Sequence, residues 1–534
     1  MTSDQVIDAL ETTAKLLELH NENTFKAKAY SNAAYKLSKL RYDFEGKTQE
    51  DIEAIEGIGK GISAKINELI KTASTTELKE LLEKTPEGVV EILGIKGLGP
   101  KKVRQLWLDL NIESTGELLY ACNENRLITL KGFGEKTQLQ IKQNIEFKIS
   151  NNNKFHYSSL EKPVEQLINI ILQQQNELQI AVVGQLARKC EVIDKIEILI
   201  DAEILTDLSI HEKTIPLSVH YIYCNAEEFF YKLVELTSTP EHLEKINFSS
   251  IHTTHFFDEE EIYHALNLQY IEPELREGLN EVLLAEQHKI PKLIELSDLK
   301  GALHNHTTYS DGVHTLAEMA CYCNSLGYQY LGICDHSKSA FYAQGLSIEK
   351  VIEQQKEIDK LNLTFSNFTV LKGIESDILN DGSLDYPEEI LKTFDFIVAS
   401  VHSNLKMDET KATERLIRAI ENPYTSILGH PTGRLLLARS GYPINHKKII
   451  DACAANKVSM ELNAHPYRLD IDWRWIWYCL EKNVKIAINP DAHHKEGLKD
   501  MYYGVCAARK GILSKEFCLN AMDLADLKLA FRKV

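Results

Sequence analysis

The chain has 534 residues, of which 44% are hydrophobic and 26% are charged, and its formal net charge at pH 7 is −18. This length exceeds what one hydrophobic core supports, so the sequence predicts three or four domains. No apolar run approaches the roughly 18 residues of a membrane-spanning helix, which argues against a membrane protein. The ten cysteines form no CxxC pair and indicate reduced thiols in a cytoplasmic protein.

The charge is distributed unevenly along the chain. Residues 1–150 hold 21 Lys and Arg against 23 Asp and Glu, a net charge of −2, which leaves −16 for residues 151–534. A protein this acidic is not a general coat for nucleic acid. The nearly neutral first part and the acidic second part therefore predict different roles, and the second part tolerates its acidity if it binds divalent cations.

The predicted elements change in character twice along the chain. Residues 1–150 contain helices separated by short glycine turns. In residues 151–290, the stretches IAVVGQLARKCEVIDKIEILIDAEIL and TIPLSVHYIYC carry the β-branched runs of strands, and a polar helical stretch follows. KIPKLIELSDL is a candidate linker. From residue 300 onward, short apolar strands alternate with amphipathic helices, a pattern typical of a parallel α/β layer or barrel.

Three glycine turns in the first 150 residues share one pattern, in IEGIGKGISAKI, ILGIKGLGPKKVRQL and LKGFGEKTQLQI. Each has two glycines around an apolar residue, then polar or basic residues and a new helix. Such glycines permit a tight turn with positive φ and leave backbone N–H groups at a helix N-terminus, where they attract phosphate. One copy is an ordinary helix cap. Three copies predict helix-hairpin-helix binding of a DNA backbone without sequence readout, through Gly57, Gly59, Lys60, Gly97, Gly99, Lys101, Lys102, Gly132, Gly134 and Lys136.

Nearly every predicted strand after residue 300 ends in His, Asp or Glu. His304 and His306 in LHNHTTYSDG are two residues apart, so both side chains lie on one side of a strand, and Asp491 and His493 repeat this spacing. In α/β barrels the active site lies at the carboxyl ends of the strands. The nine candidate metal ligands are His304, His306, Asp311, His336, Glu375, His402, His430, Asp491 and His493.

Imidazoles and carboxylates without thiolates favour Mn²⁺, Zn²⁺ or Fe in a catalytic site. Nine ligands are too many for one ion and predict two or three ions, with Glu375 as the bridging carboxylate. Such a cluster can activate water and hold the oxygens of a phosphate ester. Arg434, four residues after His430, is a candidate phosphate clamp because guanidinium matches phosphate geometry. The alternative for Arg434 is a surface ion pair.

The motifs HNH…SDG, DHS, GIESDI, ASVHS, GHPTGR and INPDAH resemble the polymerase and histidinol phosphatase (PHP) domain. This resemblance implies a distorted seven-stranded β/α barrel with three metal ions. One ion would take His304, His306, Glu375 and Asp491; a second, Glu375, His402 and His430; a third, Asp311, His336 and His493. The implied catalytic residues are His304, His306, Glu375, His402 and Asp491, with Arg434.

GHPTGRLLLARSGY and NAHPYRLDIDWRW resemble the PHP domain that is fused to bacterial and archaeal family X DNA polymerases, although His465 stands where those relatives usually have Asn. The resemblance implies a multidomain protein of helical helix-hairpin-helix modules, an α+β nucleotidyltransferase-like palm and thumb, and the PHP barrel. The implied boundaries are 1–82 for a DNA-end-binding domain, 83–152 for fingers, 153–225 for palm, 226–290 for thumb, 291–299 for a linker and 300–534 for the barrel.

The palm-like region departs from the family pattern at its metal-binding positions. Family X nucleotidyl transfer needs a Gly-Ser motif and three aspartates that clamp two metal ions. Here these positions read Gln185, Lys195, Glu197 and His220, and a lysine repels Mg²⁺. A register shifted by one would restore Asp194 but place Ile196 at the second position. The sequence therefore predicts a palm whose polymerase activity is lost or very weak. The lyase activity of some relatives is also unsupported, because Leu69 stands at the Schiff-base lysine position, with Lys65 as a possible substitute.

Taken together, these patterns predict a DNA-repair metallophosphoesterase that binds gapped, nicked or 3′-ended DNA. The expected reactions are Mn²⁺-dependent 3′→5′ exonuclease cleavage and removal of 3′-phosphates, with cleavage at abasic sites as a further option. The expected protein is a cytoplasmic monomer that associates with the nucleoid on DNA and works beside other DNA-repair enzymes. The alternatives are an active gap-filling polymerase, a non-catalytic DNA-end-binding adaptor and a small-molecule phosphatase.

Overall fold

The computed structural model describes residues 1–40, 42, 44, 46–123, 126–150, 153–174, 178–202, 215–251 and 255–531. The chain divides into two compact units, Met1–Asn152 and Asn153–Val534. The finer division of the chain into six segments stays a prediction.

The first unit is built from helices around one apolar core. Its nine described helices are α1 (Ser3–Leu19), α2 (Thr24–Leu40), α3 (Gln49–Glu53), α4 (Lys60–Thr72), α5 (Thr76–Glu83), α6 (Glu87–Leu93), α7 (Pro100–Leu110), α8 (Thr115–Asn123) and α9 (Glu135–Ser150). Helix α1 begins with a capping box at Thr2 and buries Leu10, Leu16 and Leu17. All three predicted glycine turns lie in this unit.

The three glycine turns have the same geometry. The first glycine of each turn, at 57, 97 and 132, has φ between +83° and +91°. The apolar residue between the glycines, Ile58, Leu98 or Phe133, is at most 5% exposed and anchors the turn in the core. Gly59 and Gly99 are extended and form the N-caps of α4 and α7. Only the first glycine of each pair therefore has the positive φ of left-handed backbone. The prediction of positive φ for both glycines is wrong for the second one.

The middle part of the second unit is a small α+β region, as the sequence predicted. It holds β1 (Phe155–His156), α10 (Tyr157–Gln174), β2 (Ile180–Val183), α11 (Gly184–Ala187), β3 (Val192–Ile193), β4 (Ile196–Ile200), β5 (Val219–Tyr223), α12 (Phe229–Thr237), α13 (Pro240–Lys245), α14 (Glu259–Ala265) and α15 (Glu281–Glu286). Strand β4 lies between β2 and β5, antiparallel to β2 and parallel to β5. Strands β1 and β3 form a separate antiparallel pair.

The last part of the second unit is a barrel of parallel strands. They are β6 (Gly301–Ala302), β7 (Tyr330–Ile333), β8 (Thr369–Lys372), β9 (Glu375–Asp377), β10 (Val398–Ser400), β11 (Ile427–Leu428), β12 (Ser459–Asn463) and β13 (Ile486–Asn489). Strands β8 and β9 are separated by only two residues and together occupy one strand position of the barrel. The barrel therefore has seven strand positions, which follow the order of the sequence. A parallel β-bridge between Asn305, after β6, and Ala492, after β13, joins the first strand of the barrel to the last. The predicted distorted seven-stranded barrel is confirmed.

Helices alternate with the strands and cover the outside of the barrel. They are α16 (Leu316–Ser325), α17 (Ile348–Asn362), α18 (Glu388–Leu391), α19 (Glu409–Glu421), α20 (His446–Asn456), α21 (Ile476–Glu481), α22 (Met501–Lys510) and α23 (Leu524–Phe531). Inside the barrel, Leu303, Leu371 and Val398 pack with Leu527 and Phe531 of the C-terminal segment. The interior is therefore a packed core, which leaves the carboxyl ends of the strands as the place for a site.

Among the helices of the described ranges, none combines the length and the apolar character needed to cross a membrane. All ten cysteines are free thiols, and most of them are buried.

Candidate metal centre

Seven of the nine predicted ligands lie shortly after the ends of parallel strands, and an eighth, Glu375, lies at the junction of β8 and β9. His304 and His306 follow β6, His336 follows β7, Glu375 opens β9, His402 follows β10, His430 follows β11, and Asp491 and His493 follow β13. Asp311 lies in the loop after β6. Because parallel strands end at one rim of a barrel, these side chains converge there. The structure thus brings together all nine residues that the sequence singled out.

Glu375 lies at the middle of this cluster and is 1% exposed. Its two carboxylate oxygens face the ring nitrogens of five histidines. Oε1 lies 3.3 Å from a ring nitrogen of His304, 3.1 Å from one of His402 and 3.0 Å from one of His430. Oε2 lies 2.9 Å from a ring nitrogen of His336 and 3.7 Å from one of His306. A single carboxylate thus faces five imidazoles that come from four different strand ends.

Three groups of side chains are close enough for the members of each to share one ion. In each group, one nitrogen or oxygen atom per residue lies within 4.8 Å of the others. The groups are His306, Asp311, His336 and His493; His304, His306 and Asp491; and His336, Glu375 and His402. They largely match the three sets implied by the family resemblance. Three differences remain: Glu375 is absent from the group of His304, His306 and Asp491; His306 and His336 each belong to two groups; and His430 joins only through its contact with Glu375.

The spacing of these atoms fits divalent metal ions. Nitrogen and oxygen ligands lie about 2.0–2.2 Å from an ion, so two ligands of one ion lie about 3 Å apart, as found around Glu375. Glu375 Oε2 and His304 Nε2 are both buried, and neither has a hydrogen-bond partner among the residues that the structure describes. Buried polar atoms of this kind are costly unless a cation satisfies them.

Two further carboxylates, which were not predicted from the sequence, contact the ring nitrogens of His304 and His402 that point away from Glu375. Glu461 on β12 faces His304 Nδ1 at 2.8 Å, and Asp377 on β9 faces His402 Nδ1 at 2.5 Å. Such partners fix the orientation of an imidazole and leave its other nitrogen directed at the metal. Asp377 could have been found from the sequence, because it follows Glu375 with the same two-residue spacing as the histidine pair.

A third buried carboxylate shapes the loop between His306 and Asp311. Asp335 accepts hydrogen bonds from the backbone N–H and hydroxyl of Thr307 at 2.8 and 2.7 Å, from the Ser310 hydroxyl at 2.5 Å and from Gln354 at 2.6 Å. Burial raises the pKa of Asp335, and these donors offset part of that effect. The loop that brings Asp311 to the cluster is thereby tied to the end of β7.

The electrostatics of the cluster follow from the packing of opposite charges. Burial opposes ionisation, but the surrounding histidines outweigh it and hold the pKa of Glu375 well below its usual range. Burial would likewise lower the pKa of His402, but Glu375 and Asp377 raise it to about 10. For His306, burial and the neighbouring His493 and His336 lower the pKa to about 3. The centre therefore presents ionised carboxylates with a neutral imidazole at His306, whereas His402 carries a proton that a bound metal ion would have to displace.

Arg434 lies beside this rim, but its donors are used within the protein. Nη1 forms an ion pair with Asp472 Oδ2 at 2.7 Å, and Nε donates to the backbone carbonyl of Arg468 at 3.0 Å. Nη2 donates to the carbonyl of Leu469. This arrangement favours the ion-pair alternative for Arg434, and its phosphate-clamp role stays a prediction.

The altered palm positions lie close together on adjacent strands. Lys195 Nζ forms an ion pair with Glu197 Oε1 at 2.6 Å. Glu197 on β4 is paired in register with His220 on β5. The Gln185 side chain accepts a hydrogen bond from the Asp194 backbone N–H at 2.9 Å. An ammonium group therefore neutralises the one carboxylate that remains among the four positions.

The basic residues of the glycine turns lie on the surface of the first unit. Lys60, Lys101 and Lys136 are exposed. Lys102 is partly buried and lies over the ring of Phe133, with Nζ 5.4 Å from the ring centroid. A Cβ atom added at Gly59, Gly99, Gly132 or Gly134 would meet no atom within 4 Å, so the backbone at these glycines is uncovered.

Comparison with known proteins places this geometry in a family. Residues 1–75 match a helix-hairpin-helix domain and residues 302–465 match the PHP domain. The DNA polymerase/3′-5′ exonuclease PolX of Bacillus subtilis (strain 168) is 33% identical over 575 aligned positions, which cover 100% of this chain and 100% of that protein. The chain belongs to the PolX family.

Relatives of the PHP region alone are also found. A probable phosphatase of Acetivibrio thermocellus is 30% identical over 202 residues, covering 36% of this chain and 78% of that protein. A probable phosphatase of Caldanaerobacter subterraneus is 31% identical over 207 residues, covering 36% and 74%. The predicted membership in the PHP-containing family X group is confirmed, and the barrel is also similar to proteins named as phosphatases.

Replacing Glu461 by Gln should weaken metal binding without removing a proposed ligand. The amide keeps the shape of the side chain but removes the charge that holds the His304 imidazole, and losses of such partners cost about tenfold to a hundredfold in metal affinity. Metal content after dialysis, measured by plasma mass spectrometry, checks this. Glu481→Gln, at an exposed position on α21, is the control. Equal metal content in both variants would contradict the role given to Glu461.

Proposed function

We propose that this PolX family member is a metal-dependent phosphoesterase that acts on DNA 3′ ends, as a 3′→5′ exonuclease and a 3′-phosphatase. The observation that carries the proposal is the convergence of nine imidazole and carboxylate side chains, with Glu375 at their centre, at one barrel rim. The PolX relative of B. subtilis is named as a polymerase and a 3′-5′ exonuclease, and the barrel relatives are named as phosphatases. Cleavage of a phosphate ester is the chemistry common to the exonuclease and phosphatase names.

In the proposed site, two or three divalent ions, Mn²⁺ first with Zn²⁺ or Fe as alternatives, would supply Lewis-acid polarisation of the phosphate ester and its attacking water. The chain supplies the geometry. Glu375 joins the ligand groups, and the remaining ligands are His304, His306, Asp311, His336, His402, His430, Asp491 and His493. Glu461 and Asp377 keep the His304 and His402 rings in place. No covalent nucleophile is needed.

The first unit is the proposed DNA-binding part. Its three turns offer uncovered backbone and lysines beside helix N-termini, an arrangement that suits phosphate oxygens and carries no base specificity. The proposed substrates are gapped, nicked or 3′-ended DNA, because a 3′ end is what an exonuclease and a 3′-phosphatase share. The protein would act as a cytoplasmic monomer beside other DNA-repair enzymes, which supply the synthesis and ligation that trimming leaves undone.

The proposal includes the loss of polymerase activity. Two-metal nucleotidyl transfer needs carboxylates that clamp the ions, and the Lys195–Glu197 ion pair puts a fixed positive charge where an ion would bind. An active gap-filling polymerase is the second candidate function. It is favoured by the full-length similarity to the B. subtilis relative, whose name includes DNA polymerase.

The His402→Ala and Asp491→Ala variants should each abolish trimming of 3′ ends while leaving DNA binding nearly intact. Each removes a ligand of the proposed centre, which lies apart in sequence from the DNA-binding turns. Trimming is measured on 5′-labelled single-stranded and gapped DNA with Mn²⁺, and binding by fluorescence anisotropy. His264→Ala, at an exposed position on α14, should trim like the wild type. Trimming retained by both site variants would refute the proposal.

No labelled nucleotide should be incorporated into gapped DNA, with Mn²⁺ or Mg²⁺, beyond the background of a heat-inactivated sample. To prevent trimming from masking synthesis, the assay uses the His402→Ala variant. Incorporation that disappears in the His402→Ala/Glu197→Ala double variant would establish the gap-filling alternative instead.

Changing Lys60, Lys101 and Lys136 together to Gln should weaken DNA binding and make it less dependent on salt. Each lost phosphate contact should lower the slope of log affinity against log salt by about 0.7–0.9. Hydrolysis of a small phosphate monoester should stay unchanged, because the barrel is not altered. An unaltered salt slope would show that the turns do not contact the DNA backbone.

A further inference from the structure

The loop that follows β12 brings a guanidinium group to the metal centre. We call residues 465–472 the arginine loop. Its turn is closed by backbone hydrogen bonds from the Arg468 and Leu469 N–H groups to the carbonyl of His465, at 2.8 and 3.1 Å. The Arg468 side chain then reaches back to the rim, where Nε lies 3.7 Å from Asp491 Oδ2.

The contact with Asp491 leaves the N–H donors of the Arg468 guanidinium available. A distance of 3.7 Å is beyond hydrogen-bond range, and Asp491 Oδ2 accepts its hydrogen bond from Asn463 Nδ2 at 3.0 Å. The Arg468 side chain is 22% exposed and donates no hydrogen bond to the residues that the structure describes. It therefore presents unused donors and a positive charge at the edge of a cluster of ionised carboxylates.

Two neighbouring arginines, Arg434 and Arg439, donate their hydrogen bonds to acceptors within the protein. Arg434 donates to the Arg468 and Leu469 carbonyls and pairs with Asp472, so it holds the arginine loop at three points. Arg439 donates to the Gly433 carbonyl through Nε and Nη2, at 3.1 and 2.7 Å. Burial and the charge of Arg468 lower the pKa of Arg439, which indicates that the two guanidinium groups are close.

The middle region supports the same loop from outside the barrel. The His156 ring stacks on Tyr467, with the ring centroids 4.2 Å apart, and its Nε2 lies 3.1 Å from the Leu436 carbonyl. The Leu436 N–H in turn donates to the Tyr467 carbonyl at 2.7 Å. Arg468 is thus carried by a loop that is fixed on two sides, which restricts where its guanidinium can lie.

We propose that Arg468 binds a non-bridging oxygen of the substrate phosphate at the metal centre, and that Arg434 is a positioning residue that fixes the arginine loop. The inference rests on the proposed phosphoesterase function and names a ligand-binding group of that same site. A guanidinium fork matches phosphate oxygens, and its hydrogen bonds to an anion are stronger than those between neutral groups. This places the phosphate contact on Arg468 and gives Arg434, the candidate from sequence, an indirect part.

The test measures binding of inorganic phosphate to the manganese-loaded full chain by calorimetry. Arg468→Ala should weaken phosphate affinity about tenfold to a hundredfold, since it removes charge-assisted hydrogen bonds, and Arg468→Lys should recover part of the loss. Manganese content should equal that of the wild type. Arg418→Ala, which removes an exposed arginine of α19, is the matched control and should bind phosphate normally.

The positioning role of Arg434 is tested by a double-mutant cycle. Arg434→Lys keeps the charge but loses the fork that holds the two carbonyls, so it should weaken phosphate binding when Arg468 is present. In the Arg468→Ala background the same change should add little. Additive losses would show that Arg434 acts independently of Arg468 and would overturn its positioning role.

Two results would overturn the role of Arg468. One is wild-type phosphate affinity in Arg468→Ala, and the other is a loss of manganese that parallels the loss of phosphate, because the residue would then act on Asp491 alone. Neither depends on DNA as substrate. If the wild type binds phosphate through Arg468 but does not trim 3′ ends, the proposed function fails and this inference stands.

Discussion

One buried carboxylate organises the catalytic half of this protein. Glu375 faces five imidazoles from four strand ends at 2.9–3.7 Å. A carboxylate and several imidazoles can converge in this way only if their strands run parallel and end at one rim. The barrel topology, the closure between Asn305 and Ala492 and the packed interior below the rim all serve that requirement. Divalent metal ions are compatible with such a cluster, because Glu375 Oε2 and His304 Nε2 are buried without a hydrogen-bond partner among the described residues.

The groups behind the ligands restrict their positions. Glu461, Asp377 and Asp335 are not among the predicted ligands, yet each holds a ligand ring or a ligand loop by short hydrogen bonds. The middle region contributes in a different way. Lys195 and Glu197 form an ion pair there, while His156 and Glu191 contact the barrel through Tyr467 and Trp473. The middle region is thus a packing partner of the barrel.

The sequence singled out the nine side chains that converge at the rim because most of them lie near strand ends, and two pairs, 304/306 and 491/493, have a two-residue spacing, which is a local pattern. The same holds for the glycine turns, whose buried Ile58, Leu98 and Phe133 stand at equivalent positions. The supporting groups were harder to predict. Glu461 reaches His304 across 157 residues of sequence, and the Arg468 guanidinium reaches Asp491 through the conformation of its loop. Sequence proximity pointed to Arg434, four residues after a ligand, whereas tertiary contacts direct that side chain to the loop instead.

The most direct test of the metal centre is a crystal structure of the manganese-loaded protein with anomalous scattering measured at the manganese edge. The account predicts two or three anomalous peaks at the barrel rim, at least two of them within about 2.0–2.4 Å of Glu375 oxygens. The remaining ligands would be the histidines and aspartates that follow β6, β7, β10, β11 and β13. A rim without anomalous peaks, or peaks confined to the palm-like region at Glu197, would contradict it.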